Sequence, residues 1–590
     1  MAKQVVAHIE LEGGTELAEA SYLCIEQDLF GHHTFELHVP FEQLEDPNEL
    51  FFHKSHQNVC GKTIQFSFDP LLEKGSFSFK FKGLITELAL KNTSALSNAF
   101  VLKGYSPTIL LEDSRLRRSF LQQSLSNIVD RVLDPYPSNL VKRSVKPRQK
   151  AQQTYVVQYD ETAFEFLARL AAEYGEWCFY DGQQLVFGEP SDQSTDFVVD
   201  GTQTFDMSLR LLPSKFLYTR YDYLANRSYE SHSDNQQVDG LGQWSKFTLD
   251  ESGNLFSQET QLPLPKPVYG QSELDDIAKT QKVAQASRLV EFRGSGENPD
   301  YSVGSIIKVK GTRITERGKS EEAFGSYRIT HVRHEVSGSG NYTNTFRALP
   351  DSVSSPPPNP SFRLPTGLSE LATVVDNQDP EKLGRVKVEF MWPGDDKQSD
   401  WLRVGHPYTG EGQGMVFVPE VDAQVMVAYE SNLAEYPFVL TSFYPKTNGN
   451  TYTQRDNILK LIQTKGGNQI EFGDKDGEQT IHITNVNKTG TQVSLSFQNN
   501  GKITIETDGE IQVAGRDISL KASNDLKIEA QNNLELKATG SVKINGAEIT
   551  AEADATVSIK GNASVSLEGA QTSVKGNAMV EVKGGVIMLN

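Results

Sequence analysis

The sequence predicts a mainly β protein: barrel-like domains with a few helices, then a C-terminal segment that closes only as an intertwined β-helix of three chains. Three observations predict it. Apolar and polar residues alternate along many short stretches of the first 445 residues. Only two stretches hold a clear helical spacing. Beyond residue 502, apolar pairs recur about every eight residues to the end. At 590 residues the chain is too long for one core, and three or four domains are expected.

Residues 1–353 read as barrel-like domains. Phe35–Val39 and Phe77–Phe81 alternate as half-buried strands do, and Pro40, Pro70 and Gly75 punctuate them. A first helix is predicted near 124–134, where Leu125, Ile128, Val129, Val132 and Leu133 share a face and Ser124 is its N-cap. A second is predicted over 162–175, with Thr162 and Glu165 as a capping box and Gly175 as its stop. Ala163, Phe166, Leu167, Leu170 and Tyr174 form its apolar face. A hairpin follows, Trp177–Tyr180 and Leu185–Phe187 around Asp181-Gly182. Residues 200–350 read as strands, Tyr327–Val332 most clearly.

The Pro-rich stretch 354–366 has the composition of a stiff linker. Residues 367–445 alternate at Arg385–Phe390 and Val425–Tyr429, and such short strands with Gly/Pro turns suit an OB-fold barrel. A β-rich neck is expected over 446–500, and a needle over 501–590.

No proline follows Pro445 and no aromatic residue follows Phe497, so the needle has no conventional core. Its expected core is Ile511/Val513, Ile518/Leu520, Leu526/Ile528, Leu534/Leu536, Val542/Ile544, Val557/Ile559, Val565/Leu567 and Val580/Val582. Ile503/Ile505 precedes these pairs, and Ile549 and Val574 keep the rhythm between them. A spacing of two puts both members on one face of a strand, and Gly, Asn and Asp between pairs supply turns. An eight-residue unit is too short to coil around a core of its own. Three chains on one axis can enclose one, each giving a strand to every layer.

Composition excludes several function classes. A net charge of −20 argues against nucleic acid, which needs a basic footprint. Cys24, Cys60 and Cys178 are scattered and odd in number, so neither a disulfide framework nor a zinc site is expected. The N-terminus lacks a signal-peptide pattern, and folding in a reducing compartment is expected. His331-Val332-Arg333-His334-Glu335 lies in an alternating segment, where positions three apart face opposite sides, so no metal is expected there. His32-His33 reads as a solvated pair, and Asp395, Asp396 and Asp400 as a solvated barrel loop. No catalytic, cofactor or metal site is predicted.

Four stretches carry a resemblance: Tyr105–Leu133 (YSPTILLEDSRLRRSFLQQSLSNIVDRVL), Gln158–Pro190 (opening QYDETAFEFLARLAAEYG), Tyr327–Pro350, and Asp376–Tyr444 with DNQDPEKLGRVKVEFMW and SDWLRVGHPYTGEGQGMVFVPEVDAQVMVAYE. TKGGNQIEFGDKDGEQTIHI, from Thr464, extends it into the needle. The sequence resembles the VgrG-type spikes of contractile injection systems, which join the hub and needle proteins of phage tails. The resemblance implies a homotrimer whose hub docks, with baseplate proteins, on a hexameric inner tube. It implies a PAAR-type tip protein on the needle, effector cargo, and mechanical contact with a target membrane. The apolar run Val586, Ile587, Met588 and Leu589 is the expected tip-docking face. The chain leaves no room for an enzyme between Pro445 and Thr464 and ends at Asn590, so effectors are expected on other chains. Two other readings are a spike that cleaves peptidoglycan and a secreted adhesin that binds glycans.

Overall fold

The computed structural model describes residues 4–589, except 46–51, 73–76, 95–96, 200–202, 239, 265, 267, 269, 316–317 and 447–455. The chain divides into two compact units, Met1–Thr451 and Tyr452–Asn590.

The first unit is organised by one long sheet serving two cores. Strands Tyr22–Asp28, Thr34–Pro40, Ser97–Tyr105, Lys80–Ser94, Thr63–Pro70 and Val5–Leu11 follow one another antiparallel. They wrap Phe35, Phe66, Phe68, Phe81 and Phe100. Gly318–Ser337 joins this set to the next. Its C-terminal part pairs with Tyr22–Asp28, and its N-terminal part with Ile306–Thr315. The second set encloses Phe197, Phe292, Tyr301 and Phe346.

The alternating segment Phe35–Val39 is a strand, but Phe77–Phe81 is one only from Lys80. A side chain intervenes there. The Asp300 carboxylate accepts from the amides of Ser78 (2.6 Å) and Phe79 (3.2 Å), taking donors that a strand ladder would use.

Both predicted helices form. Leu125–Leu133 is capped by Ser124 Oγ, which accepts from Asn127 N at 3.3 Å. In Ala163–Tyr174 the Thr162 and Glu165 side chains satisfy each other's amides at 3.1 and 3.0 Å. Gly175 ends it in the left-handed region, φ 66°. The hairpin after it pairs Cys178–Tyr180 with Leu185–Phe187, and Asp181 Oδ1 accepts from Gln183 and Gln184 amides. Two further helices, Gln243–Leu255 and Gln271–Ser287, stand where the sequence reads as strands. They bury mostly small residues such as Ser245, Thr248, Ala278 and Ala284, which leave no apolar stripe in the sequence.

His32-His33 is not solvated. His33 is fully buried against Phe81 and Tyr180, and among the described residues neither ring nitrogen has a hydrogen-bond partner of ordinary geometry. His32 contacts Thr108 Oγ1 (2.9 Å) and Glu112 (3.2 Å) and packs on Phe164. The strand Gly318–Ser337 turns His331 and His334 to opposite faces: His331 meets Glu26 at 3.0 Å, while His334 is buried beside Tyr342.

Residues 370–443 form a closed barrel. Glu370–Asp376 pairs with Lys387–Phe390 and with Gln424–Tyr429, which pairs with Pro437–Phe443. Bridges from Leu402 to Val386 and, in parallel, from Val404 to Val439 close the circuit. This five-stranded order, with one parallel contact, is that of an OB fold.

The barrel is locked to the hub. Val157 and Tyr159 of the hub strand Gln152–Glu161 belong to the barrel's core, with Tyr159 edge-on to Trp392 and Tyr429. Glu370 accepts from Trp392 Nε1 (2.7 Å), Tyr159 (3.2 Å), Tyr429 and Arg117. Asp396 pairs with Arg131, so this loop carboxylate is a joint and not a solvated group. The Pro-rich stretch also lies against the hub: Ser354 O accepts from Trp177 Nε1, and Ser355 and Pro356 are buried.

At the centre of the joint is Arg169, 2% exposed. It donates to Glu161 (2.7 Å) and Glu173 (2.9 Å) of the hub, Glu435 of the barrel (3.1 Å) and Val157 O (2.6 Å). Burial, then repulsion from Glu173, pushes Glu435 up to about 7. Removing the cation that pairs directly with all three of these carboxylates leaves buried charge undercompensated. Arg169→Ala is expected to destabilise the first unit by about 3–5 kcal/mol in denaturant unfolding. Adding Glu435→Gln should recover part of that loss, and no recovery would assign the cost to packing alone.

His33 and His334 give the hub an acid sensitivity. Burial lowers each to about 3, from an ordinary value of 6.5. The unfolded chain therefore binds their protons first, and stability falls as pH drops from about 6.5 towards 3, by about 1.4 kcal/mol per pH unit for each ring. His33→Phe should flatten the fall in melting temperature between pH 6.5 and 5. An unchanged slope would place the sensitivity elsewhere.

Candidate assembly surface

The second unit begins with a five-stranded antiparallel meander, Leu459–Gln463, Asn468–Gly473, Thr480–Asn485, Thr491–Ser496 and Lys502–Thr507. Its register sorts the side chains. Ile462, Ile470, Ile483, Val493 and Ile505 stand opposite one another as one row. Phe472, Ile481, Leu495 and Ile503 form the adjacent row on the same face, after Lys460. From the second strand onward the other face carries polar side chains. None of the nine apolar residues is buried; Ile483 is 47% exposed and Ile503 71%. Among the described residues, nothing covers this core face.

Ile503/Ile505 thus belongs to the meander's last strand, and the eight-residue rhythm begins after it. Bends fall at 508–509, 516–517, 523–524, 531–532, 539–540, 547, 554–555, 562–563, 570–571, 577–578 and 585–586. The steps are eight or seven residues, as the apolar pairs are spaced. Straight stretches run between the bends. Among the described residues, none from Glu510 onward lies in a strand ladder.

The sixteen residues expected as needle core are not a core within the chain: every one is exposed. The leading members of the pairs, Ile511, Ile518, Leu526, Leu534, Val542, Val557, Val565 and Val580, are 51–59% exposed. The trailing members, Val513, Leu520, Ile528, Leu536, Ile544, Ile559, Leu567 and Val582, are 57–72% exposed. The physical reason is the length of the repeat. Seven or eight residues give one short straight stretch and a bend, so no second layer of the same chain comes back to cover the pair. Ile549 and Val574 are exposed for the same reason. Side chains of this kind cluster out of water, and extended backbone seeks ladder partners. Here the chain supplies neither to itself. Val586, Ile587, Met588 and Leu589 are also exposed, Leu589 at 91%. They run consecutively, which breaks the spacing of two.

Sequence spacing alone identified the repeat. The meander's apolar face escaped it, because its two rows exist only once five strands are in register. Period-two patterns were legible strand by strand, at Ile481/Ile483 and Val493/Leu495 for example, but not the alignment between them.

Two protein families match. Residues 57–340 match the phage tail baseplate hub (GPD), and residues 370–444 match the Type VI secretion system/phage-baseplate injector OB domain. The type VI secretion system spike protein VgrG1a of Pseudomonas aeruginosa is 22% identical over 502 residues, 76% of this chain and 72% of that one. Spike protein VgrG3 of Vibrio cholerae is 24% identical over 456 residues, 70% of this chain and 43% of that one. The chain spans between 35% and 53% of the first four curated relatives it matches. In fold it is similar to a chain of the Francisella PdpA–VgrG complex in its lidded form, with TM-score 0.55 and 10% identity, covering 85% of this chain and 80% of that one. The half-lidded form gives 0.56 and 9%, covering 86% and 88%. With a hub and an injector OB domain in that order, and alignments that run on through most of its length, the chain is similar to VgrG-type spikes.

Proposed function

We propose that the protein is a structural, non-enzymatic homotrimeric spike of a contractile injection system. The observation that carries this reading is the C-terminal unit's exposed apolar periodicity. Three meanders with their apolar rows inward make a closed prism. Three repeats wound on the same axis bury each pair and give each straight stretch a ladder partner on both sides. A needle without free edges resists local unfolding under axial load, which suits puncture of a membrane.

The hub in this reading docks on the hexameric inner tube together with baseplate proteins, and effectors travel with the assembly. Val586–Leu589 of three copies form an apolar plateau for a PAAR-type tip protein. Assembly takes place in the bacterial cytoplasm, and the machine carries the spike out.

Light scattering on the purified chain is expected to give three times the monomer mass; a monomer at micromolar concentration would refute the reading. Replacing Leu534 and Leu536 by Asp puts six carboxylates in one layer of the trimer and should abolish it. An unchanged melting curve would mean that this pair faces solvent. Replacing Val586, Ile587, Met588 and Leu589 by Ser should leave the trimer mass intact and release the tip protein in a pull-down. Retention of the tip would move the docking face elsewhere.

A further inference from the structure

The barrel of residues 370–443 carries a projecting apolar arm and, beside it, an open apolar groove. The arm is the hairpin Thr409-Gly410/Gln413-Gly414, whose two strands pair only with each other among the described residues, followed by Met415 and Val416. Val416 is 75% exposed. The groove, about 870 Å³, is walled by Val404, Pro419, Val421, Leu440, Phe443 and Tyr444, with the acidic Glu420 and Asp422 also on its lining. Leu440 is 52% exposed and Tyr444 74%. Its floor is also an open edge. Beyond Val439, which bonds to Arg403 and Gly405, the strand Pro437–Phe443 has ladder partners only on the Gln424–Tyr429 side among the described residues. A barrel this small rarely leaves so much contiguous apolar surface and a free strand edge to water.

We propose that the Met415-Val416 arm of one copy seats in the Leu440–Tyr444 groove of the next copy, so that three barrels close head to tail into a ring. Arm and groove are different surfaces of one chain, which is the geometry of a heterologous contact; such contacts close when the rotation fits the copy number. The occupant is a second copy of this chain for two reasons. The chain passes from Tyr444 into the second unit, which starts at Tyr452, so a trimer there tethers three barrels at high effective concentration. Each copy also carries a net charge of −20, so copies repel unless their contacts are apolar. The arm from Gly410 to Phe417 holds a single charge, Glu411. A β-strand laid on the open edge adds main-chain hydrogen bonds to the side-chain burial.

The inference rests on the trimeric reading above, and the test separates the two. In the full chain with exposed Cys60 replaced by Ser, Val416→Cys and Leu440→Cys are introduced singly and together. Cys24 is buried, and burial pushes the Cys178 thiol up to about 12, so neither competes for a thiol reagent. Light scattering first establishes the mass. A short bis-maleimide is then expected to convert the monomer band of the double variant into covalent trimer, and to leave each single variant monomeric on a denaturing gel. A trimeric mass with no cross-link in the double variant would overturn the arm-in-groove contact and leave the spike reading standing. Cross-linking of the Val416→Cys variant alone would mean that arms meet arms, and would also overturn it. A monomeric mass would overturn both.

Discussion

Residues 459–589 place their apolar side chains where one chain cannot bury them. The meander lines up nine on a single face, and the repeat adds a pair at nearly every turn. An isolated copy would hold this surface against water at a cost of about 25 cal/mol for each Å². It would also leave the backbone of every straight stretch without a ladder. Other features follow from this constraint: the absence of aromatics after Phe497, the polar and turn-forming residues between pairs, and the strict spacing. In the proposed trimer, large rings would not fit a narrow shared axis, whereas β-branched residues and Leu repeat there without change of radius.

The first unit solves the opposite problem. It buries its own aromatics in cores of its own and then grips the OB barrel. The grip is polar at its centre and apolar around it. Arg169 and Glu370 each satisfy several partners from both sides of the joint, and Tyr159 crosses from hub strand to barrel core. Buried charge of this kind adds little net stability, but it tolerates no error in geometry. It therefore fixes one orientation of barrel against hub.

Much of this was legible in the residues. Both capped helices, the Cys178–Phe187 hairpin and the OB barrel follow from periods of 3.6 and two together with turn chemistry. The departures have specific causes. Asp300 captures the amides at Ser78-Phe79 from more than two hundred residues away. The helices at 243–255 and 271–287 bury small polar residues and Ala, and their packing faces look like surface. His33 reads as a loop histidine until the barrel closes over it.

The sequence by itself determined what is local or periodic: strands, caps, turns, and a repeat too short to enclose itself. These depend on neighbours a few residues apart, and their signal lies in spacing. Only the tertiary structure decided which rows of the meander align, which carboxylates gather around Arg169, and that one barrel bears an arm beside an open groove. Those features join residues tens or hundreds of positions apart. Their signal is a matter of register and packing, which no single stretch of sequence contains.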